Sequence, residues 1–351
     1  MPADLTFLKT FPAPWSKDFT DAEGKRVLVA GYSTTGSSCF PTSSTQAHAW
    51  LRKHKRNGAR LIRPHHIDKF LIANWGAHGP RLNYYFGAAK SKGIPLAVEF
   101  CSEAFEKSRL AKGDFAGWSE HVKRFCGDVD LSNVVMACPV NEPAPTSQAV
   151  FDAQCELIRK AGYKGLLFGS NASIQGGPMG EIETAHVYAG HPEKKEVNGQ
   201  TIRYAFAVKY PNWSTWNKQY PDGTAGFERL DKSKPLAMLE GGSPWPNPFR
   251  QESEIALYSR MLTLGAQAIL PYAYATSHED MLSGVAIDRD PEGWPMAADE
   301  ARMEAFRWLA CKMQGVEYVM NAGVPLEAVP DPFYPNAPTF TYRALTGAVP
   351  A

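Results

Sequence analysis

Short apolar runs rich in β-branched residues alternate along this chain with amphipathic stretches, a rhythm that restricts it to parallel strands joined by helical crossovers. The first run, RVLVAGY at 26–32, is followed beyond a Gly/Ser loop by helical spacing over 44–57 through Ala47, Trp50 and Leu51. ARLIRP at 59–64 and IPLAVEF at 94–100 open the next two units, with helices expected over 81–91 and 118–125. NVVMACPV at 133–140 precedes a helix over 148–161 that stops at Gly162, and KGLLFGS at 164–170 reads as the fifth strand. A short sixth strand at 184–188, PLAMLE at 235–240 and AQAILPYAY at 266–274 complete the series, with helices over 252–264 and 299–313. Eight such units close most simply into a (β/α)8 TIM barrel over residues 1–314. A hairpin about Asn198-Gly199, with the strand-like 201–208, is expected over its mouth. Residues 315–351 are left as a short C-terminal extension, packed on the barrel or opening a truncated further domain.

Composition narrows the partners. Lys and Arg number 37 against 36 Asp and Glu, so no global field draws the chain to nucleic acid or to an anionic membrane. No apolar stretch is long enough for a membrane span. The six cysteines are scattered without a CxxC pair, which gives neither a zinc signature nor a disulfide framework. No Gly-rich phosphate loop is present, and no cofactor is expected. The first 21 residues lack an unbroken apolar stretch behind a basic start. Two readings of location stay open, a cytoplasmic protein or a secreted one whose leader or parent chain has been removed, and the second is preferred. Oligomeric state is not legible.

Chemistry in such barrels sits where strands end and loops begin. Two strands finish there with an acidic residue: the fourth with Val140-Asn141-Glu142-Pro143, the seventh with Met238-Leu239-Glu240-Gly241-Gly242. The fourth and seventh strands lie almost opposite one another across a small barrel, so both carboxyls can flank one sugar. Cleaving a glycosidic bond with retention needs such a pair, about 5 to 5.5 Å apart, one to protonate the leaving oxygen and one to attack the anomeric carbon.

Asn-Glu-Pro after the fourth strand and a Glu closing the seventh resemble the clan A glycoside hydrolases, family 5 among them. The resemblance implies that Glu142 is the acid/base, Glu240 the nucleophile, and Asn141 a donor to the sugar 2-hydroxyl; a turn former or helix cap is the plainer reading of Asn141. Arg63, closing the second strand in Arg63-Pro64-His65-His66, takes the place of the arginine that holds the nucleophile ionised. His186-x-Tyr188, ending the sixth strand, resembles the His-x-Tyr in which the His assists the acid/base region and the Tyr donates to the nucleophile. His65 and His66, with Asp68 near, are read as sugar-binding or structural, since no further metal ligand follows at a useful spacing.

Two positions depart from the family pattern. Pro271-Tyr272-Ala273-Tyr274 stands where a Trp platform is usual, so Tyr274 or Trp245 is expected to stack under the cleaved sugar. Glu99 replaces a His at the end of the third strand, either to bind substrate or as a buried partner of Arg63. Trp75, Trp213, Trp216, Trp245 and Trp294 all fall in Pro/Gly-rich segments, where rings can pave a groove or simply cover the core. The expectation is a metal-free, endo-acting retaining hydrolase of a β-glucan, mannan or galactan-like carbohydrate. The alternatives are a transglycosylase on the same carboxylates and a catalytically silent carbohydrate-binding barrel.

Overall fold

Every one of the eight apolar runs forms a strand, and each lies parallel between the runs before and after it. The computed structural model describes residues 4–170, 180–188, 193–197, 200–204, 231–242, 250–272 and 297–318. Strand β1 comes in two pieces, Val29–Ala30 and Tyr32–Thr35, separated by Gly31. It is followed by β2 (Ile62–His65), β3 (Leu96–Glu99), β4 (Val134–Cys138), β5 (Leu166–Leu167), β6 (Glu183–Tyr188), β7 (Leu236–Gly242) and β8 (Ala266–Ile269). One arc runs from β1 through β2, β3 and β4 to β5, and the other from β6 through β7 and β8 back to β1.

The two arcs meet at two seams. At the first, Val29 pairs with Ala268 while Tyr32 pairs with Ile62, so β1 bonds β8 with its first piece and β2 with its second. At the second, a parallel bridge joins Phe168 to Ile182, and Glu181 N donates to Leu167 O at 2.7 Å. The result is a (β/α)8 barrel. A hairpin, Glu193–Val197 paired with Gln200–Tyr204, follows β6, as the Asn198-Gly199 turn signal predicts.

The two-residue period of a strand sends alternate side chains to two cores. Val29, Leu61, Ala97, Val135, Phe168, Ile182, Ala237, Leu239 and Ala268 fill the barrel, whose foot is plugged by Trp15 and Phe19 of the N-terminal segment. Ile62, Leu96, Val98, Ala137, Leu167, Ala185, Val187, Met238 and Ile269 face outward against the helices. The same parity as Leu61 and Ala97 carries Arg63, His65 and Glu99 inward, because they stand two or four residues further along their strands.

Gly31 lets β1 approach β2 closely: a Cβ placed there would lie 1.9 Å from the Leu61 carbonyl oxygen. That atom is backbone and cannot move without disturbing both strands. Gly31→Ala is therefore expected to cost about 3 kcal/mol in urea unfolding, the upper range for overpacking a core. A cost under about 0.5 kcal/mol, the scale of an ordinary surface substitution, would show that the strands can part.

The helix expected over 81–91 spans Trp75–Ser91, and a further short helix, Ile67–Ala73, precedes it. Pro80 falls early in the helix and forfeits one backbone bond, while Asn74 caps the start by accepting from Ala77 N at 3.1 Å. Trp75 opens this helix and packs edge-on against His121 and Phe125, with Arg124 4.6 Å over its ring. It is half-buried against the core and lines a surface cavity with Asn74, Glu120 and Arg124, among the outer helices. Trp213, Trp216, Trp245 and Trp294 lie outside the described residues, as does the extension beyond residue 318. Among the described residues, no helix is long and apolar enough to cross a membrane.

Candidate active site

At the C-terminal ends of the strands, inward parity converts from apolar to ionisable. Arg63 is the hub. It is fully buried; its Nη2 donates to Glu99 Oε2 at 2.7 Å and to Asn141 Oδ1 at 2.6 Å, and its Nη1 to Leu239 O at 3.2 Å and Glu240 Oε2 at 3.3 Å.

Glu240 reaches the barrel axis through an irregularity. Leu239 already points inward, so strict alternation would turn Glu240 out; a register shift between Met238 and Glu240, against Ala185 and His186 of β6, re-aims it. Its side chain is only 10% exposed. Glu142 lies nearer the solvent, with 35% of its side chain exposed, and takes the left-handed conformation at φ 47°, where non-glycine residues are uncommon. Its N–H donates to Ser170 O at 2.8 Å, which fixes that turn.

His186, wholly buried on β6, stands between the two carboxyls. Its Nδ1 is 2.7 Å from Glu142 Oε1 and 3.5 Å from Glu240 Oε2, and its Nε2 is 3.0 Å from Ser170 Oγ. One donor atom each from Glu142, His186 and Glu240 all lie within 4.8 Å of one another. Ser170 Oγ donates in turn to Asn141 Oδ1 at 2.7 Å. Sequence reasoning passed over Ser170, although it closes the run KGLLFGS, just beyond β5, the kind of position at which barrel chemistry is sought.

His65 and Glu99 form a second layer beneath Glu240. His65 Nδ1 is 2.6 Å from Glu99 Oε1, its Nε2 is 3.9 Å from Glu240 Oε2, and the His66 N–H donates to Glu99 Oε1 at 2.9 Å. Burial opposes the charge on Glu99, yet His65 and Arg63 outweigh it and hold the carboxyl well below the usual carboxylate range. Of the two roles open to Glu99, the buried partner of Arg63 is the one observed.

His66 departs from its neighbour. It has φ 57°, and burial, reinforced by the adjacent His65 ring, pushes its pKa down to about 4. Its Nδ1 is 2.9 Å from Glu103 Oε1 and 2.6 Å from Ser102 Oγ, while Nε2 is 3.4 Å from the Tyr272 hydroxyl. Neutral His66 therefore donates from Nδ1 and accepts from Tyr272. Asp68 faces away from both histidines: its Oδ2 accepts from the N–H groups of Ser102, Glu103 and Ala104 at 2.8 to 3.0 Å and fastens the loop after β3. Donor atoms of His65, His66 and Glu99 also converge within 4.8 Å, but Arg63 already sits on Glu99, and a second cation there would be repelled.

Of the expected binding residues, Arg63, His65, Asn141 and His186 therefore surround the carboxyl pair, and His66 flanks it. Tyr188 ends β6 in register with Gly242 of β7. Trp245 and Tyr274 lie outside the described residues. Tyr272, which sequence reasoning named without assigning a role, stands at the end of β8 with its ring edge-on to His65 at 5.5 Å.

No protein-family model matches the sequence, and no curated protein does. Solved structures do match the fold. The endo-β-1,4-mannanase from Thermotoga petrophila superposes with a TM-score of 0.58 at 12% identity, over 85% of this chain and 79% of that one. A β-glucanase from Saccharophagus degradans gives 0.56 at 14% identity, over 90% and 97%. A glycoside hydrolase family 5 mannosidase from Rhizomucor miehei gives 0.59 at 11% identity, over 87% and 98%. At such identities the likeness is one of fold, a (β/α)8 barrel of the kind these enzymes share.

Proposed function

We propose that this chain is a retaining glycoside hydrolase acting on a β-linked mannan or glucan type of chain, with Glu240 as nucleophile and Glu142 as acid/base. The observation that carries the reading is the carboxyl pair itself: oxygens of Glu142 and Glu240 within 4.8 Å, risen from opposed strands of one barrel mouth. Inverting enzymes need about 6.5 to 9.5 Å between carboxyls to admit a water, whereas retaining ones hold them about 5 to 5.5 Å apart.

The environments suit unlike roles. Glu240 is deep and touches the Arg63 guanidinium, which favours its charged form. Glu142 is more exposed and leans on His186, where it can meet a leaving group and later a water. In the first step Glu240 attacks the anomeric carbon as Glu142 protonates the departing oxygen, giving a glycosyl ester. In the second, Glu142 takes a proton from water, the water oxygen bonds to the anomeric carbon, and the ester bond to Glu240 breaks. Asn141 accepts from Arg63 and Ser170 through its oxygen, which leaves its amide nitrogen to donate to a sugar hydroxyl.

The test is hydrolysis of mannan, β-1,4-glucan and galactan, with the anomeric configuration of the first product read by NMR and viscosity loss compared with reducing-end release to detect endo action. Adding an acceptor sugar separates hydrolysis from transglycosylation. Glu142→Ala should lower kcat/KM on the polysaccharide by about 10²- to 10⁴-fold. On an aryl glycoside with a good leaving group the same variant should still form the ester and then stall, with azide restoring turnover and giving a glycosyl azide of retained configuration. Equal loss on both substrates, without azide rescue, would remove Glu142 from the acid/base role.

A further inference from the structure

Arg63 touches two carboxylates unequally. The contact to Glu99 is 2.7 Å and that to Glu240 is 3.3 Å, through different nitrogens. Nη2 is also shared with Asn141 at 2.6 Å and Ser170 Oγ at 3.4 Å, and Nη1 with the Leu239 carbonyl, while Nε is buried without an acceptor among the described residues. Glu240 thus receives one long contact from Arg63 and not the two parallel bonds that make arginine the strongest partner of a carboxylate. Glu99 also holds the ring of His65, whose Nε2 faces Glu240 at 3.9 Å.

We propose that Glu99 is a positioning residue: by binding Arg63 and His65 it limits how far Arg63 neutralises Glu240, so that this carboxylate stays ionised and still basic enough to attack. The proposal rests on the reading of Glu240 as nucleophile. Its electrostatic core, one guanidinium divided between two buried anions, stands on geometry alone.

The sign follows from Coulomb's law. Taking the charge from Glu99 removes an anion near Glu240 and releases Arg63 to pair with Glu240 alone. Both changes favour the ionised form of Glu240 and lower its pKa. A less basic carboxylate attacks more slowly, so the ester-forming step should slow even as the acidic limb of the pH profile extends downward.

Other charged groups lie near both carboxyls among the described residues. Glu240 faces Arg63 and His65 from β2 and His186 from β6, with Glu142 behind His186. Arg302 and Glu254, paired at 2.8 Å, lie where a Cβ on Gly242 would touch them, behind the end of β7. Glu99 faces Arg63, His65 and the His66 amide from β2, and stands in register with Cys138 of β4, whose thiol burial keeps protonated. Asp68 and Glu103 lie beyond, bound to the loop amides and to His66 with Lys69 respectively. Among the described side chains, His65 and Arg63 are the ones paired with Glu99 when it loses its charge.

The experiment titrates the carboxyl carbons of protein labelled with ¹³Cδ glutamate, the Glu240 signal being assigned by its loss in Glu240→Gln. In Glu99→Gln the Glu240 titration should move down by about one unit or more, and in Glu99→Asp, which keeps the anion, it should stay near the wild-type position. In the same variants kcat on an aryl glycoside should fall on the order of tenfold in Glu99→Gln with KM nearly unchanged, and recover in Glu99→Asp. A Glu240 titration that stays or rises in Glu99→Gln, or that moves equally in both variants, overturns the proposal. Should Glu99→Gln fail to fold, the wild-type order decides: Glu99 must titrate below Glu240, and the reverse order overturns it. A wild-type protein inactive on every glycoside would sink the hydrolase reading while leaving the titration to judge the division of Arg63.

Discussion

Glu240→Gln is expected to leave the barrel folded and to cut kcat on any polysaccharide it hydrolyses on the order of 10⁵-fold, the scale of losing a covalent nucleophile. Glutamine keeps the shape of the side chain and an oxygen that can still accept from Arg63 Nη1, so the packing around Leu239 and His186 is undisturbed. What is lost is the negative charge that, on the proposed mechanism, attacks the anomeric carbon. The arginine would not be stranded, because Glu99 retains its 2.7 Å contact. A folding check by circular dichroism must therefore accompany the rate. The companion variant Glu240→Ala opens space beside His65, and azide entering from that side should give a glycosyl azide of inverted configuration. Activity within about tenfold of wild type in Glu240→Gln would move the nucleophile elsewhere. Retained configuration of the azide product would place the opening on the other face of the sugar.

The barrel was legible because most strands are buried on both faces and so write themselves as apolar runs, as in NVVMACPV and PLAMLE, with ETAHVY of β6 the weakest signal. The site was legible only where a residue type stands at the end of such a run. Arg63, Asn141, Glu142, His186 and Glu240 meet that description, and the structure brings all five together. What stayed hidden is set by pairing and not by periodicity. The β7 irregularity that turns Glu240 inward depends on its register with Ala185 and His186, which no local pattern encodes. Ser170 looks like any loop serine until the β4 and β5 ends are brought side by side. Asp68 looks like a third ligand for two histidines and proves to be the fastener of the loop 102–104.

The largest stability effect is expected at Arg63. Arg63→Met keeps the apolar stem and fills much of the space, but it ends short of the two Nη atoms, so a small packing loss adds to an electrostatic cost that is the larger part. Glu99 would remain at the centre of the barrel with His65 but without its guanidinium, and Asn141 and Ser170 would lose a donor. Removing one member of a buried ion pair costs about 3 to 5 kcal/mol, a large share of the roughly 5 to 15 kcal/mol that a domain has. Arg63→Lys should lie between, since it keeps a charge near Glu99 but not the fork that also reaches Glu240. The deficit should also depend on pH, in a direction that can be worked out. In the wild type the Glu99 carboxyl is held below its ordinary value of 4.5, so the stability it contributes is present above that pH and is lost as pH falls through the depressed folded value. In Arg63→Met one of the two partners that lower it is gone and the folded value rises, so Glu99 can shed part of its penalty by taking a proton while still buried. The gap between wild type and Arg63→Met in urea unfolding should therefore be widest near neutrality and narrow as pH is lowered through the carboxylate range. A gap that is constant across that range would mean the loss comes from packing, and that the ion pair at the centre of the site contributes little to holding the barrel together.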